Sequence, residues 1–228
     1  DGMGAPYNRI PAGTRSVEYI ASGVTITGWP GPAKIVVPGL DMESFSFNGQ
    51  TVPLRDGAYL ATVYGALVDP PDYRIFAVKS RDGVNWDIHA LIADKTCGVI
   101  GKEGPNESAL LRLNDGRILC VFRVGSRANY GQCWSSDEGK TWSAPVAMAG
   151  VFSVQPSLAT RPDGVIALGG GRPGLYLWLN ADGTAQSWQG IDMLAHHNAC
   201  HPSETIDVHP ENLMVHQTSA YTEVVALD

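Results

Sequence analysis

Three stretches of the chain repeat one pattern of apolar and polar positions. The first is "VPLRDGAYLATVYGA" followed by "YRIFAVKSRDGVNWDI". The second is "LLRLNDGRILCVFRVG" followed by "YGQCWSSDEGKTWSAP", and the third "LATRPDGVIALGGGRPG" followed by "LYLWLNADGTAQSWQG". In each, an apolar run is interrupted by Asp-Gly and resumes. A further short apolar run follows, and a second Asp/Gly turn leads to a Trp. Asp-Gly between apolar runs is a strong hairpin signal, because glycine accepts the positive φ that a tight turn imposes. The copies recur at roughly 45 to 60 residues, the spacing of propeller blades with four strands each. The pattern predicts an all-β chain of four-stranded antiparallel blades over residues 44–228. The closing "TSAYTEVVALD" reads as the opening strand of a fourth copy, cut off at its Asp. Residues 1–43 are expected to form an N-terminal segment, with strands that could belong to a closing blade.

Composition narrows the partners more than the fold. Across 228 residues, 26 Gly and 15 Pro are spread along the chain, as suits many short strands joined by turns. A formal net charge of −7 argues against nucleic acid as the main partner. No apolar run is long enough to cross a membrane as a helix. The sequence opens "DGMGAPYNRIP", without an initiator Met or a signal-like segment, which fits a leader already removed and an extracellular or secreted protein. Cys97, Cys120, Cys133 and Cys200 show no zinc spacing and allow up to two disulfides. Asn106-Glu107-Ser108 is a glycosylation sequon, relevant if the chain is secreted.

The acids of the second turns look catalytic at first sight, yet their setting is structural. In "SSDEGKTW" the Asp137 carboxylate can accept N–H groups of its own loop, Gly139 can turn the chain, and Trp142 can pack between sheets. Asp82 with Trp86 and Asp182 with Trp188 repeat the arrangement. Ser135 to Trp142 resembles the Asp-box, or BNR repeat, of the sialidase superfamily at every defined position. "SRDGVNW" from Ser80 is one residue short, and "NADGTAQSW" is one long with Asn180 in place of Ser. The resemblance covers residues 44–228 and implies a six-bladed propeller of glycoside hydrolase type, of which about four blades would lie in this chain. An Asp-box marks a fold, and activity has to come from other positions.

The same resemblance implies an acidic glycan as partner, sialic acid or a similar sugar, and a definite set of residues. A carboxylate on the anomeric carbon calls for guanidinium partners. A carboxylate nucleophile would be repelled by the substrate, whereas a neutral Tyr with a Glu beside it would not. "NESALLRLNDGRILCVFR" is similar to the segment that carries the family's catalytic Glu and one of its arginines, which places those roles on Glu107 and Arg123. Arg172 in "GGGRPG" follows the same turn-and-strand layout one blade later, among glycines that would let a ligand approach the backbone. Tyr221 in "TSAYTEV" stands where the family places its nucleophile. Asp69 in "LVDPPDYRIF" takes the acid/base position, with Asp72 as its competitor. No cofactor and no metal are implied.

Two features depart from the family pattern. Its first Arg, within a Phe-Arg-Ile-Pro segment, has no counterpart in "ESFSFNGQTVPLRDG", where Asn48 stands near the expected place. "YNRIP" at Tyr7 to Pro11 matches the motif but lacks the strand and Asp-Gly turn that should follow it. The second departure is "AHHNACHPSETIDVHPENLMVHQ", which holds His196, His197, His201, His209 and His216 and reads as a polar loop running back to the Tyr221 strand. Two rival functions follow. A non-catalytic glycan-binding propeller would leave Tyr221 and Glu107 too far apart to hydrogen-bond. A polysaccharide lyase for uronic acids would use His with Tyr for proton abstraction and Arg to neutralise the carboxylate.

Overall fold

In a computed structural model of the chain, the described residues are 16–18, 34–36, 42–67, 72–125, 127–172, 174–206 and 221–226. Asp69 and the stretch Tyr7 to Pro11, both singled out above, lie outside them. Three four-stranded antiparallel sheets dominate, each a simple up-and-down meander. Blade 1 is β3 (Met42–Pro53), β4 (Tyr59–Leu67), β5 (Tyr73–Ser80) and β6 (Asp87–Ala93). Blade 2 is β7 (Ser108–Arg112), β8 (Ile118–Phe122), β9 (Gly131–Ser135) and β10 (Val146–Ala147). Blade 3 is β11 (Ser157–Thr160), β12 (Ile166–Gly170), β13 (Tyr176–Asn180) and β14 (Gln189–Asp192). Two short strands, β1 (Ser16–Glu18) and β2 (Lys34–Val36), pair antiparallel ahead of blade 1. Residues 221–226, expected as a fourth opening strand, run without strand pairing, held to blade 3 by the Val224 N–H on Ser157 Oγ at 2.9 Å.

The first Asp-Gly turn of every blade is built the same way. Leu54, Leu113 and Arg161 each donate N–H to the carbonyl four residues on and accept from the glycine three residues on. Gly57, Gly116 and Gly164 hold φ of 79°, 89° and 91°, the left-handed position of a bulged hairpin turn. The Asp ahead of each glycine accepts the N–H that follows the turn, as Asp115 does from Arg117 at 2.9 Å. One local sequence signal thus makes one local structure three times.

Burial explains why the strands read as apolar runs rather than strict alternation. Every residue of β8 is buried, because both faces of a middle blade are covered by neighbours. On one side Leu110, Ile118, Cys120 and Phe122 pack against Leu54, Leu60 and Ile75 of blade 1. On the other, Leu111, Leu119 and Val121 pack against Leu158, Ile166 and Leu168 of blade 3. Each such side chain contributes about 1.5–3 kcal/mol relative to exposure, so the blade-to-blade seams hold the fold together. Trp142 and Trp188 pack against these seams from the second turns.

Two expectations are corrected here. All four cysteines are free thiols, Cys120 directly opposite Cys133 across β8 and β9, so no disulfide staples the chain. The first part of the histidine stretch is not a loop: Met193–Cys200 forms the helix α1, started by Asp192, whose carboxylate accepts the Ala195 N–H at 2.9 Å. No group of three or more His, Cys, Asp or Glu converges among the described residues, and His209 and His216 lie outside them. No described helix is long and apolar enough to cross a membrane.

Candidate active site

A meander gives each blade two ends. The Asp-Gly hairpins and the Asp-box-like loops between the third and fourth strands share one end. At the other lie Asp72, residues 123–125, 127–130, 171–172 and 174–175, all between second and third strands, and the segments that lead from blade to blade. Glu107, Arg123, Arg172, Tyr221 and Asp72 all fall at this second end.

Glu107 and Arg123 meet because of hairpin register. Ser108 pairs with Phe122, and the ladder extends one step further, with Arg123 donating its N–H to the Glu107 carbonyl at 2.9 Å. Opposed residues of a hairpin project on the same face, so the two side chains form an ion pair, Nη1 to Oε2 at 3.1 Å. Both are nearly out of solvent, at 4% and 10% side-chain exposure. The sequence spacing between them is simply a reflection through the Asp115-Gly116 turn.

The remaining partners of Glu107 come from far away in sequence. Tyr221 donates its phenol hydrogen to Oε1 at 2.8 Å, and Gln155 donates its backbone N–H to Oε2 at 2.8 Å. Gln155 has φ of 34°, a region that a side-chain-bearing residue occupies only when its surroundings hold it there. Those surroundings are set by the two residues ahead of it. Ser153 Oγ accepts the Arg172 N–H and donates to the Arg172 carbonyl, both at 2.9 Å, and Tyr130 Oη donates to the Val154 carbonyl at 3.0 Å. Residues 153–155 therefore tie Arg172 of blade 3, Tyr130 of blade 2 and Glu107 together.

The two tyrosines near Glu107 differ sharply. Tyr130 is wholly buried, and that burial, with the Glu107 charge nearby, pushes its phenol well above the ordinary range. Tyr221 keeps 50% of its surface exposed and lines a cavity of about 300 Å³ with Gln155, Ser157 and Thr222. Only Tyr221 combines a base at hydrogen-bond distance with access to a ligand. The separation required by a non-catalytic reading of this pair is not what the geometry shows.

Arg123 and Arg172 are placed differently as cation sites. Arg123 carries a second carboxylate, Glu103 Oε1, on Nη2 at 2.8 Å. Arg172 has no acidic partner among the described residues, and its buried Nε has no hydrogen-bond partner. The glycines ahead of it do not open space for a ligand: a side chain at Gly170 would meet Ser153 and Trp178. Asp72, at the mouth of β5, pairs with Arg74 at 3.5 Å and Lys95 at 3.8 Å. It lines a second cavity of about 640 Å³ with Tyr73, Lys95, Lys102 and Glu103.

Asn48, at the place expected for a third Arg, is a staple between blades. Its Oδ1 accepts the Ser108 N–H at 2.9 Å, and its carbonyl accepts the Thr62 hydroxyl at 2.8 Å. The neighbouring Gly49, at φ of 70°, permits the approach, since any side chain there would collide with the Ser108 carbonyl. Asn106 is also structural: its buried amide donates to Glu103 and to the Gly104 carbonyl, which leaves the folded sequon no room for a glycan. Glu103, Ser153 and Gln155 were not legible as site residues. Gln155 and Arg172 act here through backbone atoms, and nothing in "GKEGPNES" says where Glu103 points.

No protein-family model and no curated protein matches the sequence. The fold does have solved neighbours. The Hadza microbial sialidase Hz136 superposes with a TM-score of 0.51 at 16% identity, over 68% of this chain and 32% of that one. Zg3597, a family 117 glycoside hydrolase produced by the marine bacterium Zobellia galactanivorans, superposes with a TM-score of 0.50 at 12% identity, over 64% and 55%. The chain thus spans between about a third and about half of these neighbours. At such identities the likeness concerns the fold: this chain has the β-propeller fold of glycoside hydrolases.

Proposed function

We propose that the protein is a retaining glycosidase that releases a terminal acidic sugar, sialic acid or a related keto-acid sugar, with Tyr221 as nucleophile. The observation that carries the reading is the hydrogen bond from Tyr221 Oη to Glu107 Oε1 at 2.8 Å, made by an exposed phenol to a buried carboxylate. As Tyr221 oxygen bonds to the anomeric carbon, Glu107 takes the phenol proton and the glycosidic C–O bond breaks. An acid from the segment ahead of β5, Asp69 with Asp72 as its competitor, protonates the leaving oxygen. Water then attacks the glycosyl-tyrosine with the same acid acting as base, and the proton returns from Glu107 to the phenolate. Two attacks on one carbon retain its configuration. A neutral nucleophile is needed only where the substrate itself carries charge at the reaction centre, which favours an acidic sugar. Of Arg123 and Arg172, only Arg172 has no acidic partner among the described residues.

The test is turnover of a fluorogenic α-sialoside by the full chain beside Tyr221→Phe. The variant is expected to lose at least about a hundredfold in kcat. Equal rates in the two proteins would remove Tyr221 from the chemistry.

A further inference from the structure

Arg123 is the guanidinium best placed beside the reacting pair, and it is already shared between two carboxylates. Nη1 faces Glu107 and Nη2 faces Glu103 at 2.8 Å. Glu103 is not a chance surface partner. Its N–H bonds the Val124 carbonyl at 3.1 Å, Asn106 bonds the Arg123 carbonyl at 2.9 Å, and the Asn106 amide holds Glu103 Oε2 at 3.1 Å. The loop is therefore docked along Arg123 at the glutamate and three residues beyond it. One guanidinium between two carboxylates leaves the triplet net negative. A substrate carboxylate approaching Arg123 has to displace Glu103 or share Nη2 with it, in a partly desolvated setting where like charges repel strongly. Glu103 is 40% exposed and opens onto the 640 Å³ cavity, so it stands between that space and Arg123.

We propose that Glu103 is a specificity-determining residue that weakens the site's preference for a charged sugar over its neutral counterpart. By occupying the outer amino group of Arg123, it keeps that guanidinium as the counter-ion of Glu107. Recognition of a substrate acid then falls to Arg172. The site consequently prefers the acid by less than Arg123 and Arg172 together would give, while the Tyr221–Glu107 pair is unchanged. This inference rests on the glycosidase reading above.

The probe is a matched pair, N-acetylneuraminic acid and its methyl ester, titrated by NMR into the wild-type chain and Glu103→Gln. The amide keeps the size of Glu103 and an acceptor for Asn106 but removes its charge. The acid is expected to bind Glu103→Gln about tenfold more tightly than wild type, with the ester unmoved. The ester serves as control, since damage to the loop would shift both. In turnover of the corresponding α-sialosides, the gain should fall in KM, with kcat changed by less than about threefold. Arg172→Gln should weaken the acid alone, again about tenfold. An acid-to-ester ratio unchanged in Glu103→Gln, or no binding of either sugar to either protein, overturns the proposal. A shifted ratio in binding without turnover of any sialoside supports the role of Glu103 and overturns the hydrolase reading instead.

Discussion

The two ends of the blades use the same residue types to opposite purpose. At the Asp-box-like end, Asp82 and Asp137 are satisfied by their own loops. Asp137 accepts the Ser135 hydroxyl at 2.9 Å, the Thr141 N–H at 2.9 Å and the Thr141 hydroxyl at 2.7 Å. Asp82 does the same with Ser80, Val84 and Asn85. At the other end, Glu107 is satisfied by Tyr221 and Gln155, 114 and 48 residues away, and by Arg123 across the hairpin. A carboxylate closed by neighbours in sequence stabilises a turn and has nothing left to offer a substrate. One assembled from three distant segments exists only when the blades are together, and one of its partners, Tyr221, remains exposed.

The largest effect that would sharpen this contrast is expected from Glu107→Ala. It removes the base of Tyr221 and the acceptor of the Gln155 N–H, and takes one carboxylate away from Arg123. Breaking a buried ion pair costs about 3–5 kcal/mol, and Glu103 retains part of the compensation, so a loss of about 2–3 kcal/mol in urea unfolding is expected. Glycosidase activity should disappear with it. Glu107→Gln, which keeps the shape, should lose activity by at least about a hundredfold with less loss of stability. Activity retained in Glu107→Gln would place the base elsewhere.

Asp137→Ala is expected to act on stability alone. It opens one loop and loosens Trp142, whose indole N–H bonds the Gly139 carbonyl at 3.1 Å. A fall in Tm of about 2–4 °C with kcat unchanged would match a loop that only closes a seam. A kcat that fell in proportion to the loss at Glu107 would mean that the two ends are not separate in function.

How much could be read from sequence follows the same division. Asp56-Gly57, Asp115-Gly116 and Asp163-Gly164 announce their hairpins because every partner they need lies within four residues. Glu107 and Arg123 were each named by family resemblance, and the hairpin register that pairs them was not drawn from the sequence. Tyr221 was placed by family resemblance, and no local pattern around it shows that it reaches Glu107. Gln155 was invisible because its contribution is a backbone N–H held at an unusual φ. Asn48 shows the converse: a residue conspicuous for not being Arg turned out to bridge blades 1 and 2. The helix α1 hid within a polar stretch whose only clear start signal is Asp192.

A finer test of the contrast concerns a long-range acid at the Asp-box-like end. Glu138 grips Arg112 with both oxygens at 2.9 Å, and its Oε2 also accepts the Arg55 N–H at 3.0 Å. Both Glu138 and Arg112 are about a quarter exposed, and Arg112 also reaches the Pro53 carbonyl at 3.0 Å. This is a clasp between blades 1 and 2, bidentate and partly buried. A double-mutant cycle with Arg112→Met and Glu138→Gln should give a coupling of about 1 kcal/mol, above the median for surface pairs. A coupling near zero would assign the seam to its apolar contacts alone.

The smallest effect is a pH dependence carried by the acids of the Asp-box-like end. Burial tends to raise the Asp137 carboxyl, but the Thr141 hydroxyl and N–H and the Ser135 hydroxyl outweigh it and hold it down to about 2. The Lys79 ammonium and the Ala58 N–H hold Asp56 down to about 2 as well. A carboxyl whose pKa is lower folded than unfolded binds its proton more readily in the unfolded chain. The stability it adds is complete above the ordinary carboxylate range and drains away as pH falls through that range towards 2. Tm should therefore hold steady from pH 7 to about 5 and decline below about 4. Asp137→Asn cannot bind that proton, so its Tm starts lower and should fall less steeply over the same acid window. Parallel slopes in the two proteins would show that the acid loss arises elsewhere, and would leave the loop acid without its assigned share of the blade seam.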